Sequence, residues 1–325
     1  MKKIITCLLS ATVLLLSACS QPKTAAVSGC GTSSIPQKAE TEVPSGTTET
    51  AGLESENLPI TEGVITSHKE EYAQALYALI ISFPEEKPGS TLKQKDVDCD
   101  TLQWFNATYS MFTYHSGADY HLIGGYSDES GVVDSYVSSG LAQSWGITDR
   151  ATAIESIAWL ASNGHVPQYV EEIQFMDSLG LLTCDEYELR TFFTQVADAQ
   201  GWTQEESANT MNYYINLKNT YDASGENGID AWDYCRIMQL CGSCYYAGFL
   251  TLEESLSIQL ATAKAIQSQF DSWDTMNTSY LKGYGYWTYG SSSVTAREWA
   301  YQKLTYEEDC PFKVLDFNMS LEKFW

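Results

Sequence analysis

Three side chains carry most of the chemical potential of this sequence: Asp233, Arg236 and His165. Asp233 and Arg236 lie in the stretch Ile229 to Gly248, whose apolar residues recur at a helical period. At about 100° per residue, Ile229, Asp233, Ile237, Leu240, Cys244 and Ala247 share one narrow stripe, with Arg236 about 60° away and one turn along. A charge in the middle of an apolar stripe is costly unless paired. Asp233 is therefore expected to engage Arg236 or a third group such as His165. Meeting in a cleft, a carboxylate, a guanidinium and an imidazole could do acid–base hydrolysis. Meeting beneath packed helices, they would form a buried salt bridge that fixes helix register. No nucleophile or second carboxylate is set beside them by spacing, which favours the second outcome.

Weaker signals compete for the same region. Asp222 to Asp233 (DASGENGIDAWD) resembles a degenerate EF-hand loop, with oxygens at Asp222, Ser224, Glu226, Asp230 and Asp233. It carries Asn227 where the turn glycine belongs and Asp233 in place of the bidentate glutamate, so an ordinary interhelix turn is the better reading. Cys241-Gly-Ser-Cys244 has the spacing of thiol oxidoreductases, but its first cysteine falls some three turns inside a helix rather than at an N-terminus. Helical residues three apart also hold their β-carbons about 5–6 Å from each other, too far for a disulfide, and core packing is expected. His115 and His121 flank a glycine-containing loop without a clear third metal ligand. There is no phosphate-binding glycine loop, nucleophile elbow or HExxH, and no cofactor is expected. The tryptophans (Trp104, Trp145, Trp159, Trp202, Trp232, Trp273, Trp287, Trp299) and the many tyrosines could line a carbohydrate or peptide groove, but more commonly pack between helices.

The elements that would position these residues are helices. Glu70 to Ile81 is amphipathic and stops before Pro84. Thr148-Asp149-Arg150 offers an N-cap for a helix that ends at Asn163-Gly164. Further helices fit Val170 to Leu182, Asp185 to Ala199 and Gln204 to Leu217. Thr251 with Glu254 caps a stripe running from Leu252 to Phe270. The spacing predicts an all-α, irregular multi-helix orthogonal bundle, with a short hairpin or irregular Tyr- and Gly-rich segment near 109–136.

Three segments carry a resemblance. WGITDRATAIESIAWLASNGH (Trp145 to His165), IDAWDYCRIMQLCGSCYYAGFLTLEES (Ile229 to Ser255) and FDSWDTMNTSYLKGYGYW (Phe270 to Trp287) stand in order. A Trp-led capped helix ends in Gly-His, a Trp-Asp-x-x-Arg helix closes on Tyr-x-x-Gly, and Ser-Trp precedes a downstream Tyr and Gly. From about Trp145 to Trp287 the chain resembles the domain of unknown function 1266 family. The resemblance implies an all-helical fold and assigns no activity or catalytic residue.

The two ends of the chain differ in kind. Lys2 and Lys3 precede an apolar run from Ile4 to Leu16, too short for a membrane span, and Leu16-Ser17-Ala18-Cys19 resembles the lipobox of bacterial lipoproteins. Residues 1–18 are thus expected to be a signal peptide and Cys19 the lipidated first residue of the mature chain. Residues 20 to 66 hold no Phe, Tyr or Trp and cannot bury enough apolar surface to offset their ordering entropy. The segment 19–66 reads as an acylated disordered tether spanning roughly 40 Å, and 67–325 as the helical domain. The formal charge of −24 argues against nucleic acid and against docking on anionic lipid through a basic patch. The expected membrane contact is the lipid anchor, on the extracytoplasmic face. Outside the signal and Cys19 the cysteines are Cys30, Cys99, Cys184, Cys235, Cys241, Cys244 and Cys310, an odd set for which spacing gives no connectivity. Taken together, the sequence reads as a tethered binding or interaction protein with an unknown protein or envelope ligand. The alternative is an envelope hydrolase built on Asp233, Arg236 and His165.

Overall fold

The computed structural model describes residues 67–84, 99–127, 133–225, 228–288 and 293–325. The expected signal, Cys19, the tether and Cys30 lie outside these residues. The helix that carries Asp233, α9 (Asp230–Tyr246), is buried on almost every face, its charged residues Asp230, Asp233 and Arg236 included. Around it pack α4 (Val133–Trp145), α5 (Arg150–Ser162), α10 (Leu252–Gln269) and α11 (Trp273–Trp287), with α1 (Ser67–Ile81) laid across α5 and α10. Gly283 allows the α9–α11 crossing to be so close, because a β-carbon there would overlap the Cβ of Trp232.

Local sequence explains where several helices begin. The side chain of Asp149 accepts the Thr152 amide at 2.9 Å ahead of α5, and Thr251 accepts the Glu254 amide at 3.1 Å ahead of α10. Glu254 returns the bond to the Thr251 amide at 2.9 Å. Reciprocal caps of this kind also open α7 (Glu186–Gln200), α8 (Gln204–Ser224) and α11, each worth about 1 kcal/mol. Pro167 lies in the first turn of α6 (Val166–Ser178), where its missing N–H costs nothing.

Two apolar cores result. The larger joins α1, α2 (Asp100–Thr108), α5, α9, α10 and α11, and the C-terminal segment closes it through Phe317 and Leu321. There the Trp104 and Trp273 rings meet at 5.0 Å and donate to the carbonyls of Phe317 and Leu315. The smaller core holds Tyr169, Ile173, Leu189, Phe193, Ile215 and Leu217 from α6, α7 and α8, and it borders Ile229 at the foot of α9.

The all-α expectation is met. The hairpin alternative near 109–136 is not: this stretch contains α3 (Ser110–His115), a 3₁₀ turn at Ile123–Gly125 and the start of α4, with no strand among the described residues. Its tyrosines mark packing rather than strand alternation. Tyr109, for example, is buried and donates to Asn106 at 2.7 Å. Among the described residues no helix is long and apolar enough to cross a membrane.

Candidate functional site

Gly164 has φ +55°, a left-handed turn that ends α5 and aims the next amide into the core. There the His165 N–H meets the Asp233 carboxylate at 2.9 Å to Oδ2 and 3.2 Å to Oδ1. The imidazole Nδ1 lies 2.7 Å from Oδ1. From α1, Lys69 Nζ donates to Oδ2 at 3.0 Å. A β-carbon on residue 164 would overlap the carboxylate itself, so the turn is as much part of the site as its charged groups.

Asp233 is 0% exposed and Lys69 1%. Burial pushes the Asp233 carboxyl upward, but Lys69 and His165 more than offset it, and the group titrates at about 2. As an ionised carboxylate it only accepts, so Nδ1 of His165 carries a proton and the tautomer is fixed. The ring stands edge-on to Trp159 (5.5 Å) and Trp232 (6.1 Å), and its side chain is 18% exposed. One turn earlier on α9, Asp230 is also buried and accepts from Gln269. Here burial outweighs the pull of Lys69 and Gln269, and the carboxyl is raised to about 6.

Arg236 does not pair with Asp233. Its guanidinium lies 4.3 Å over Trp145, 4.7 Å over Trp232 and 5.7 Å from the Trp287 ring, a planar cation held among aromatic faces. The structure therefore brings Asp233 and His165 together, as one of the sequence expectations had it, and places Arg236 in a neighbouring aromatic box. Lys69 was not foreseen, because it lies 164 residues from Asp233 with no local spacing to betray it.

The calcium reading fares differently residue by residue. Asp222 pairs with Lys218 on its own helix, and Ser224 accepts from Lys282 at 2.9 Å. Asp230 holds Gln269, and Asp233 holds Lys69 and His165. Glu226 lies outside the described residues. Asp222, Ser224, Asp230 and Asp233 thus have separate partners, and among the described residues no group of three or more His, Cys, Asp or Glu is placed to hold a metal. His121 pairs with Asp309 at 2.9 Å, while His115 ends α3 on an exposed face. Cys241 and Cys244 are buried, which pushes both thiols up, Cys244 to about 12. Neither is a thiolate at neutral pH.

A histidine fixed by a buried carboxylate has the orientation of a general base. What it lacks is company: among the described residues no Ser, Thr or Cys is hydrogen-bonded to its ring. Two surface cavities stand out among the described residues. One, of about 470 Å³, lies at the end of α10, and the other, of about 600 Å³, between α6, α8, α11 and α12 (Ser293–Leu304). Asp233, Arg236 and His165 line neither.

Fold and site together define an all-helical domain closed around a buried Lys–Asp–His centre. The chain belongs to the family described as protein of unknown function (DUF1266), whose model matches residues 140–317, more than half of the chain. It is similar to the uncharacterized protein YbeR of Escherichia coli (strain K12), 26% identical over 147 residues that cover 45% of this chain and 56% of the relative. The chain thus spans a little over half the length of that curated relative. No solved structure matches it.

Proposed function

We infer that this protein is a lipid-anchored extracytoplasmic binding protein, in which the Asp233 centre is a structural clasp rather than a catalytic one. The observation that carries this reading is the occupancy of Asp233. Both carboxylate oxygens accept bonds from Lys69 and His165, and the group is completely buried. The clasp ties α1, the first helix after the expected tether, to α9 and to the end of α5. A pull on the tether would therefore reach the centre of the domain through Lys69. The lipobox-like Leu16-Ser17-Ala18-Cys19 and the acidity of the chain support attachment by acyl chains alone.

Localisation and crosslinking test this reading. Cys19→Ala is expected to move a folded chain from the membrane fraction to the soluble one. Wild type, crosslinked in native membranes, is expected to give a discrete, saturable adduct. A chain that stays in the membrane as Cys19→Ala, or that yields no adduct at any crosslinker length, would contradict it.

A second reading, an envelope hydrolase, is favoured by one feature: the oriented, partly exposed His165 ring. It requires a substrate that brings its own nucleophile or water to Nε2, and it predicts turnover that depends on His165.

A further inference from the structure

The cavity of about 600 Å³ falls within the size range of small-molecule sites, and its walls differ in chemistry. On one side stand Tyr213 of α8 and Tyr286 of α11, with ring centroids 6.0 Å apart and planes 31° from each other. Their hydroxyls are committed inward. Tyr213 donates to the buried Glu172, and Tyr286 joins the same cluster. Gln168 closes it, donating to Glu172 at 3.0 Å. With the Tyr213 hydroxyl spent on Glu172 and the Tyr286 hydroxyl buried beside it, these tyrosines lend the cavity ring surface. Asn216 and Asn219 supply amides at the rim.

The charged lining residues complete the description. Lys282, on α11, is partly buried, and desolvation lowers its pKa. It donates to Ser224 at 2.9 Å and forms no ion pair among the described residues. Glu298, on α12, is exposed, lines the same cavity and likewise forms no ion pair among the described residues. In a chain with 42 acidic residues against 18 basic ones, a partly buried lysine without an acidic partner among the described residues is conspicuous. A neutral glycan would leave both charges uncompensated on desolvation. A ligand carrying a carboxylate and an ammonium would satisfy both, and charge-assisted bonds are the stronger kind.

We propose that this cavity binds a short zwitterionic peptide: its terminal carboxylate on Lys282, its terminal ammonium toward Glu298, and an apolar or aromatic side chain against Tyr213 and Tyr286. The inference rests on the reading of the protein as a binding protein and names a ligand class for it.

The test uses the chain from residue 20 to 325 and isothermal titration with the tripeptide Ala-Phe-Ala, free at both termini. The same peptide amidated at its C-terminus and acetylated at its N-terminus provides ligand-side controls that no folding defect can mimic. Saturable binding is expected, weakened roughly tenfold to a hundredfold by C-terminal amidation, with a similar loss in Lys282→Gln. Glu298→Gln is expected to reproduce the loss caused by N-terminal acetylation. No saturable binding of the free tripeptide, or equal binding of the free and amidated peptides, would overturn the proposal. So would tighter binding of chitotriose that Tyr286→Ala abolishes, which would assign the cavity to glycans. None of these results touches the Cys19 and crosslinking outcomes, so the two readings fail separately.

Discussion

Replacing Lys69 by Met keeps the length and apolar stem of the side chain and removes only the charge that holds Asp233 Oδ2 at 3.0 Å. Breaking one side of a buried pair typically costs about 3–5 kcal/mol, because the remaining charge is stranded. Here the loss has a ceiling. Asp233 can escape by binding a proton, and from its folded value of about 2 that costs about 7 kcal/mol at pH 7 and about 4 kcal/mol at pH 5, but only about 1.5 kcal/mol at pH 3. The sign follows from the folded-state value of about 2 in the intact protein. The stabilisation from ionised Asp233 is fully present above about pH 4 and is lost as pH falls toward 2. The deficit of Lys69→Met should therefore be roughly 3–4 kcal/mol at pH 7 and shrink to about 1–2 kcal/mol at pH 3. Urea unfolding followed by far-ultraviolet circular dichroism, at both pH values, measures this. Asp233→Asn, which strands the lysine instead, completes a double-mutant cycle with a coupling of about 2 kcal/mol or more. A loss below about 1 kcal/mol at pH 7, or losses that simply add in the double variant, would refute the clasp.

Other expectations follow from the same geometry. Gly164→Ala forces a left-handed residue to carry a β-carbon into the Asp233 carboxylate and should cost roughly 2–5 kcal/mol by urea unfolding; a neutral result would mean the turn is not packed as described. Asp230→Asn should stabilise the protein by about 1–3 kcal/mol at pH 7 and leave it nearly unchanged at pH 4. The carboxyl is raised to about 6, so its ionisation costs stability as pH rises through that value; a variant less stable at pH 7 than wild type would contradict this. A chain starting at residue 140, where the family model begins, lacks Lys69, Leu76, Trp104 and Phe105. It should give no sharp thermal transition, and a cooperative melt close to that of residues 67–325 would show that α1 and α2 are dispensable.

Much of the helical frame was legible in the sequence because its signals are local. Thr251 with Glu254 and Asp149 at the start of α5 stand where caps were expected, and their bonds reach only three residues. The α6 helix starts at Val166 rather than the expected Val170, because Pro167 is accommodated in its first turn. The α8 end was read early, because Asn219 to Ser224 is polar and only half-packed yet continues the helix. The apolar stripe did place Asp233 in the core, and it left His165 open as a partner. It could not choose between Arg236 and Lys69, because stripe geometry says which face a residue occupies and nothing about a helix 164 positions away. Arg236 sits about 60° off that stripe, far enough to leave the carboxylate and reach three tryptophans instead. The Glu172–Tyr213 bond is invisible for the same reason, joining α6 to α8 across 41 residues.

Whether the Asp233–His165 pair only holds the domain together, and turns over no substrate, is decided on purified bacterial envelope material. Wild type and His165→Gln are incubated with it, and soluble saccharide and peptide products are followed over time. Neither protein is expected to release product above the untreated control. A time-dependent release by wild type that His165→Gln abolishes, with its melting temperature unchanged, would contradict the account and assign the pair to catalysis.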